Sequence, residues 1–366
     1  MNPTTTSAPV NSSTQAMPAS VRRVVSLLQR LQHGTLHVQW PDGRVEQFGS
    51  ANGEGLNATL HLHSYAPLTQ AMKSGDIGFA ESYIAGEWTT NNLAELLQLL
   101  VANRRDMELW LDPTMNYSSA WFDNDRSQPM AQAQTAKVRR ALRMVDAKAG
   151  DRILEIGCGW GALAELGGQE FGAHMSGVTL SHEQLAFANQ RMQTQGLAAT
   201  SNLRLQDYRD IDDGPYDAIC SIEMLEAVGQ EYWDTYFQSV ARLLKSGGKA
   251  CVQTITIDDS LFDRYVKSTD FIQQYIFPGG CLPCPREFRA HAERAGLKVI
   301  DELAFGLDYA ETLRRWRHQF MADKAQVLQL GFDERFIRIW EFYLAYCEAA
   351  FEQHNTDVMQ FTLVKA

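Results

Sequence analysis

The stretch Asp151-Arg152-Ile153-Leu154-Glu155-Ile156-Gly157-Cys158-Gly159-Trp160-Gly161 carries the clearest chemical signal in the chain. Apolar residues lead up to Glu155, and glycine then recurs at every second position. This pattern reads as a buried parallel strand ending in a glycine-rich turn, with Ala162-Leu163-Ala164-Glu165-Leu166 opening a helix. A backbone without Cβ lets a ligand approach closely, and the helix N-terminus behind it attracts a carboxylate or phosphate. The dinucleotide fingerprint is G-x-G-x-x-G, whereas Gly157, Gly159 and Gly161 are followed by Ala162, so the spacing argues against that class. Glu155, an acid just before the first glycine, suits a cofactor whose end carries an ammonium. Glycine-rich strand ends also occur as plain tight turns, so the stretch needs support from elsewhere. A second candidate, Cys281-Leu-Pro-Cys284, is a lone CxxC with no second cysteine or histidine pair and reads as a proline-rich loop; no metal site is expected.

The elements that must position this turn follow in order. Met175–Leu180 reads as a second strand, with Ser181 as an N-cap and Glu183-Gln184 opening the next helix. Leu203–Asp207 is a third strand and Tyr216–Ile222 a fourth, followed by Glu223-Met-Leu-Glu226-Ala-Val-Gly229. Leu244–Lys249 turns into a strand from Ala250 to Ile257. Strands alternating with helices predict a doubly wound α/β sheet, whose ligands lie beyond the carboxyl ends of the strands. Before it, Ala131–Ala147 reads as a basic amphipathic helix containing Lys137, Arg139, Arg140 and Arg143. After it, Phe262–Phe351 is mostly helical and rich in aromatics, and Gln360–Val364 is an apolar strand. The N-terminal third differs. Residues 1–18, rich in Ser, Thr, Asn and Pro, are expected to be a disordered leader. Residues 19–105 read as a small α+β domain, with a hairpin across Pro41-Asp42-Gly43-Arg44 and a further strand from Ala58 to His63. Residues 106–366 form the α/β domain.

A chain of 366 residues with 45% hydrophobic and 21% charged residues is an ordinary two-domain globular protein. With 33 Lys and Arg against 44 Asp and Glu, its net charge of -11 argues against broad nucleic-acid binding. Six cysteines are too few for a disulfide scaffold. No apolar run is long enough to span a bilayer and the start lacks a secretory pattern, so a cytoplasmic protein is expected.

Several stretches together resemble one family, the cyclopropane fatty acid synthases and mycolic acid methyltransferases, which are class I S-adenosylmethionine (SAM)-dependent enzymes. They are Met115-Asn-Tyr-Ser-Ser-Ala-Trp121, Leu154–Gly161, Gly177–Ser181 with Gln184, Gln206–Asp210, Glu223–Gly229, Tyr275–Gly280 and Phe305–Tyr309. The resemblance implies a Rossmann-like methyltransferase fold with a helical insertion forming an acyl pocket. It implies that Tyr117, Ser118, Glu155, Gly157, Gly159 and Gly161 meet the amino acid end of SAM. Thr179 and Gln184 would bind the ribose, and Asp207 and Tyr208 would lie beside the adenine. In such enzymes an acyl double bond takes the methyl, and a bicarbonate ion held by a polar cluster removes a proton so that a ring closes. The matching positions are Ser119, Glu226, Gln253, the backbone of Ile255, and Tyr309. Ser119 stands where the family has cysteine and Gln253 where it has histidine; an amide donates a hydrogen bond but does not titrate near neutral pH. A longer segment usual before the Met-x-Tyr-Ser stretch is shortened, with Ala102–Asp106 running almost straight into Leu109.

The implied partner is a membrane phospholipid with an unsaturated acyl chain, reached by peripheral contact at the inner membrane surface. Arg314-Arg315-Trp316-Arg317 and the Lys137–Arg143 helix are the candidate docking groups. A homodimer enters by analogy alone. Three alternatives remain open: a lipid methyltransferase or furan fatty acid pathway enzyme that does not close the ring, a small-molecule N-methyltransferase, and a non-catalytic SAM- or lipid-binding relative.

Overall fold

The computed structural model describes residues 111–365 apart from 278 and 331, and before them residues 21, 24–25, 28–29, 31, 34–49, 57–70, 79, 82–83, 85–92 and 96. The expected leader at 1–18 and the shortened segment between 102 and 109 lie outside the described residues. By its contacts the chain divides into two compact units, Met1–Asp106 with Gln326–Asp333, and Met107–Ala325 with Glu334–Ala366.

In the first unit β1 (Thr35–Gln39), β2 (Val45–Gly49), β3 (Asn57–Leu62) and β4 (Trp88–Thr89) form a sheet of order β2-β1-β3-β4. The hairpin forms because Gly43, at φ 84, completes a turn that Asp42 and Arg44 brace by an ion pair. β3 runs parallel to β1. Alternation in β3 puts Ala58, Leu60 and Leu62 into a core with Val38, Trp40 and Trp88.

The second unit is the expected doubly wound fold. After α1 (Met130–Met144) come β5 (Arg152–Ile156), α2 (Ala162–Phe171), β6 (His174–Thr179), α3 (His182–Thr194), β7 (Ser201–Leu205) and β8 (Tyr216–Ile222). There follow α4 (Trp233–Leu243), β9 (Leu244–Ile257), α5 (Asp259–Tyr265), α6 (Phe271–Tyr275), α7 (Pro285–Arg294) and β10 (Leu297–Ala304). The remaining elements are α8 (Gly306–Ala322), α10 (Glu334–Glu352) and β11 (Thr356–Lys365); α9 (Lys324–Gln329), between α8 and α10, has most of its residues in the first unit.

The sheet order is β10-β11-β9-β8-β5-β6-β7. β5 to β9 are parallel, and β11 is antiparallel to both of its neighbours. One face packs Trp233, Phe237, Phe288 and Phe361, the other Val138, Leu142, Leu163 and Met192. β5 is therefore covered on both sides, which is why it reads as a continuous apolar run. The chain winds one way from β5 to β7 and the other way from β8 to β9. The carboxyl ends of β5 and β8 thus flank the switch point where such sheets bind ligands.

Candidate active site

The glycine turn leaves β5 at this switch point. Gly157 has φ 84 and Gly159 φ 48, a region where a side chain is strained. A Cβ at Gly157 would come within 3.0 Å of Met224 Cγ, whereas one at Gly159 would meet nothing within 4 Å. The turn thus offers bare backbone to a cavity of ≈ 230 Å³. Tyr117, Ser118, Glu155, Gly157, Gly159 and Gln184, all expected from the sequence to hold the cofactor, line it.

Glu155 is 4% exposed, and its Oε2 is buried without a hydrogen-bond partner. Burial pushes its carboxyl up to about 8 against the pull of Lys137. An acceptor left unsatisfied beside a glycine backbone fits a ligand that brings an ammonium donor, as the amino acid end of SAM does. These residues therefore fit that cofactor.

The other expected cofactor residues are placed differently. Gly161 caps α2 at φ 83, and a Cβ there would press within 3.0 Å of Ala188 Cβ, so it sets helix packing. Thr179 donates to Gln184 Oε1 at 2.8 Å and accepts from Ser181 N–H, which orients the Gln184 amide. Asp207 accepts from the backbone and side chain of Arg209. Tyr208 packs edge-on to Tyr236. Neither of the last two lines the cavity.

The expected polar cluster forms, with a different residue at its centre. Ser119 N–H, Gln253 Nε2 and Tyr309 OH all donate to Glu223, at 2.9, 2.7 and 2.8 Å. Glu226 instead accepts from Ile255 N–H, and its second oxygen is buried without a partner. The donors assigned to a free anion with Glu226 are thus engaged by Glu223. Its placement begins in the backbone: Glu223 follows β8 at φ 49, with its N–H donating to Gln253 O at 2.8 Å. A non-glycine residue in that conformation costs about 1–3 kcal/mol and persists only where its surroundings fix it.

Those surroundings reach outward. Gln253 Oε1 accepts from Gln360 Nε2 at 2.9 Å, so its NH2 must be the end that faces Glu223. Gln360 Oε1 in turn accepts from Arg140, which pairs with Asp301. Lys137 is completely buried; it donates to Ser118 Oγ at 2.6 Å and feels the charges of Glu223 and Glu155. Desolvation pushes the lysine down to about 8. Tyr117 stacks on Trp316 at 5.5 Å and shares a hydrogen bond with Tyr343, while Tyr309 stacks on Phe351 at 4.6 Å.

Sequence reasoning missed Glu223 and misplaced Lys137. Both left a signal: Glu223 and Glu226 sit three apart just past a strand, and Lys137 shares a helical face with Ala133 and Ala141. Most of the proposed docking groups are occupied internally, while Arg143 is exposed. Arg314, Arg315 and Arg317 pair with Glu311, Glu348 and Glu352, and Arg139 pairs with Glu170. Among the described residues no group of His, Cys, Asp and Glu could hold a metal, and no helix is long and apolar enough to cross a membrane.

Comparison with known proteins agrees with this geometry. Residues 104–361 match the family described as mycolic acid cyclopropane synthetase. A tuberculostearic acid methyltransferase of Mycobacterium tuberculosis is 34% identical over 383 aligned positions, covering 91% of this chain and 88% of that protein. The cyclopropane-fatty-acyl-phospholipid synthase of Escherichia coli is 38% identical over 68% of this chain, which is 62% and so less than two thirds of its own length. A crystal structure of a mycolic acid cyclopropane synthase complexed with SAH and CTAB superposes with a TM-score of 0.66 at 31% identity, covering 71% of this chain and 93% of that one. With these matches, the chain belongs to the mycolic acid cyclopropane synthetase family of SAM-dependent methyltransferases.

Proposed function

We propose that this enzyme methylates the double bond of an unsaturated acyl chain carried by a membrane phospholipid. The observation that carries the reading is Glu223, a carboxylate that lines the cavity and accepts from the Tyr309 hydroxyl. Bound SAM supplies an electrophilic methyl group: as the alkene π pair forms the new C–C bond the S–CH3 bond breaks, a thioether leaves, and a positive charge remains on the acyl chain.

The protein's own residues suit that charge. Glu223 lies at the cavity wall with its donors already in place, so a carboxyl is oriented there before reaction. Tyr117 lines the cavity and stacks on Trp316, and Tyr309 reaches Glu223 with its hydroxyl, so aromatic rings that can favour a cation lie beside the site. Tyr117, Ser118, Glu155, Gly157, Gly159 and Gln184 would hold the cofactor; Glu155 Oε2 is the acceptor for its ammonium. Outside the cavity Phe342 stacks on Tyr346 and meets Phe271 edge-on, with Phe342 53% exposed, and this apolar edge supports contact with a lipid surface. The relatives named for acting on fatty acyl chains support the same substrate class.

The test is lipid mass spectrometry after incubation of the enzyme with SAM and vesicles of monounsaturated phospholipid, with small amines assayed alongside. The expected outcome is SAM-dependent gain of one carbon in the acyl chains. Methylation of the amines and not of the lipid would overturn the reading.

A further inference from the structure

The polar cluster has no place for a free anion. Every donor expected to hold one already points at a carboxylate of the chain itself, Ser119 N–H, Gln253 Nε2 and Tyr309 OH at Glu223 and Ile255 N–H at Glu226. Gln253 cannot turn its amide round to make room, because Gln360 donates to its other end and Arg140 fixes Gln360. A bicarbonate placed here would find those donors taken and would face Glu223 as a like charge. The residues therefore do not fit that ion.

We propose that Glu223 is the catalytic base, taking the proton that the free anion would otherwise remove. The inference rests on the alkene-methylation reading. In the step, a Glu223 oxygen takes a proton from the newly attached methyl group. The C–H pair left behind forms a second C–C bond to the cationic carbon, closing a cyclopropane; if a hydride first shifts from the methyl-bearing carbon to its cationic neighbour, the same pair instead forms a C=C bond, giving a methylene branch. Glu223 ends protonated and the chain neutral, and no oxidant or reductant is needed. A saturated methyl branch would need a hydride donor and is not part of the proposal.

The neighbours suit this role. Burial pushes the Glu223 carboxyl up, and the positive charge of Lys137 from α1, then the three hydrogen bonds it accepts, pull back toward its ionised form. Glu226, on the same turn, is pushed up to about 8 by burial and then by the charge of Glu223. One carboxyl of the pair stays neutral so that the other carries the charge. The remaining titratable groups facing Glu223 are Tyr309 from α8, Tyr343 from α10 and Tyr117, all pushed above the ordinary tyrosine range by burial.

The experiment uses the full chain with monounsaturated phospholipid vesicles and SAM bearing a fully deuterated methyl group, in buffer purged of carbon dioxide, with and without added bicarbonate. The wild-type enzyme is expected to turn over equally in both buffers and to yield product that has lost one deuteron from the transferred methyl. Glu223→Gln is expected to lose ~10²–10⁴-fold in kcat while binding SAM as the wild type does by calorimetry. Glu223→Ala should recover part of that loss when formate or bicarbonate is added. A wild-type rate that rises more than about tenfold with bicarbonate, or Glu223→Gln within about threefold of wild type, overturns the proposal. If both variants fail to fold, the bicarbonate comparison on the wild-type enzyme decides it. Wild-type enzyme that methylates no lipid at all sinks the acyl-chain reading first, and this proposal falls with it.

Discussion

Glu223 and Glu226 leave the same turn three positions apart, yet their carboxyls meet different surroundings. Three donors meet Glu223, whereas Glu226 accepts from Ile255 N–H and keeps its second oxygen buried without a partner. Burial therefore weighs more heavily on Glu226, and its carboxyl rises from the ordinary 4.5 to about 8. The folded chain thus holds a proton there that the unfolded chain releases. The resulting stability is complete below the unfolded value near 4.5, declines as pH rises, and is gone above about 8. Glu226→Gln removes that titration and keeps an acceptor for Ile255. Its melting temperature should fall less than that of the wild type between mildly acidic and mildly alkaline pH, by the equivalent of ~1 kcal/mol or more. Parallel melting curves across that range would show that Glu226 does not hold the proton.

At the scale of single elements, α1 carries a charge into the core. Its buried face runs through Ala133, Lys137 and Ala141, so the lysine sits where an apolar residue would ordinarily be. Lys137→Met keeps the bulk but leaves Glu155 and Glu223 without that positive charge. The expected cost is about 3 kcal/mol in denaturant unfolding, with weaker SAM binding by calorimetry; unchanged values for both would rule out a charge role.

The same helix shows where legibility ended. Its basic composition suggested a surface, while the spacing of Ala133, Lys137 and Ala141 pointed inward, and the spacing was the better guide. Local chemistry was readable throughout: the glycine turn, the Ser181 cap that accepts from Gln184 N–H, and the hairpin at Gly43 all follow from nearest neighbours. What was not readable depends on pairing between distant strands. Gln253 faces Gln360 because β11 lies antiparallel on β9 in that register. Nothing near either glutamine in sequence announces this. Glu223 was passed over for a third reason: motif matching favoured Glu226, and only the fold shows which of the two the donors reach.

For the whole molecule, the acidic balance and the ion pairs change how contact with a membrane is pictured. Arg314 bridges α8 to α10 through Glu348 and Glu352, with Glu311 alongside, and Arg315 and Arg317 join the same network. These side chains clamp two helices together. Arg314→Glu is therefore expected to lower the melting temperature, by the equivalent of at least about 1 kcal/mol, and to leave vesicle binding by the folded protein unchanged. Loss of vesicle binding with an unchanged melting temperature would return the arginines to a docking role.

The position of β11 also governs the order in which the molecule can be completed. Thr356–Lys365 is an interior strand, hydrogen-bonded to β9 on one side and β10 on the other. A ribosome delivers it after every other element of the sheet, so a nascent chain exposes two unpaired strand borders until the last moment. Gln360 arrives with it, and only then is the amide of Gln253 locked toward Glu223. The polar cluster around Glu223 is thus completed by the same event that closes the sheet, and a chain halted before Thr356 would carry the glycine turn without that cluster in place.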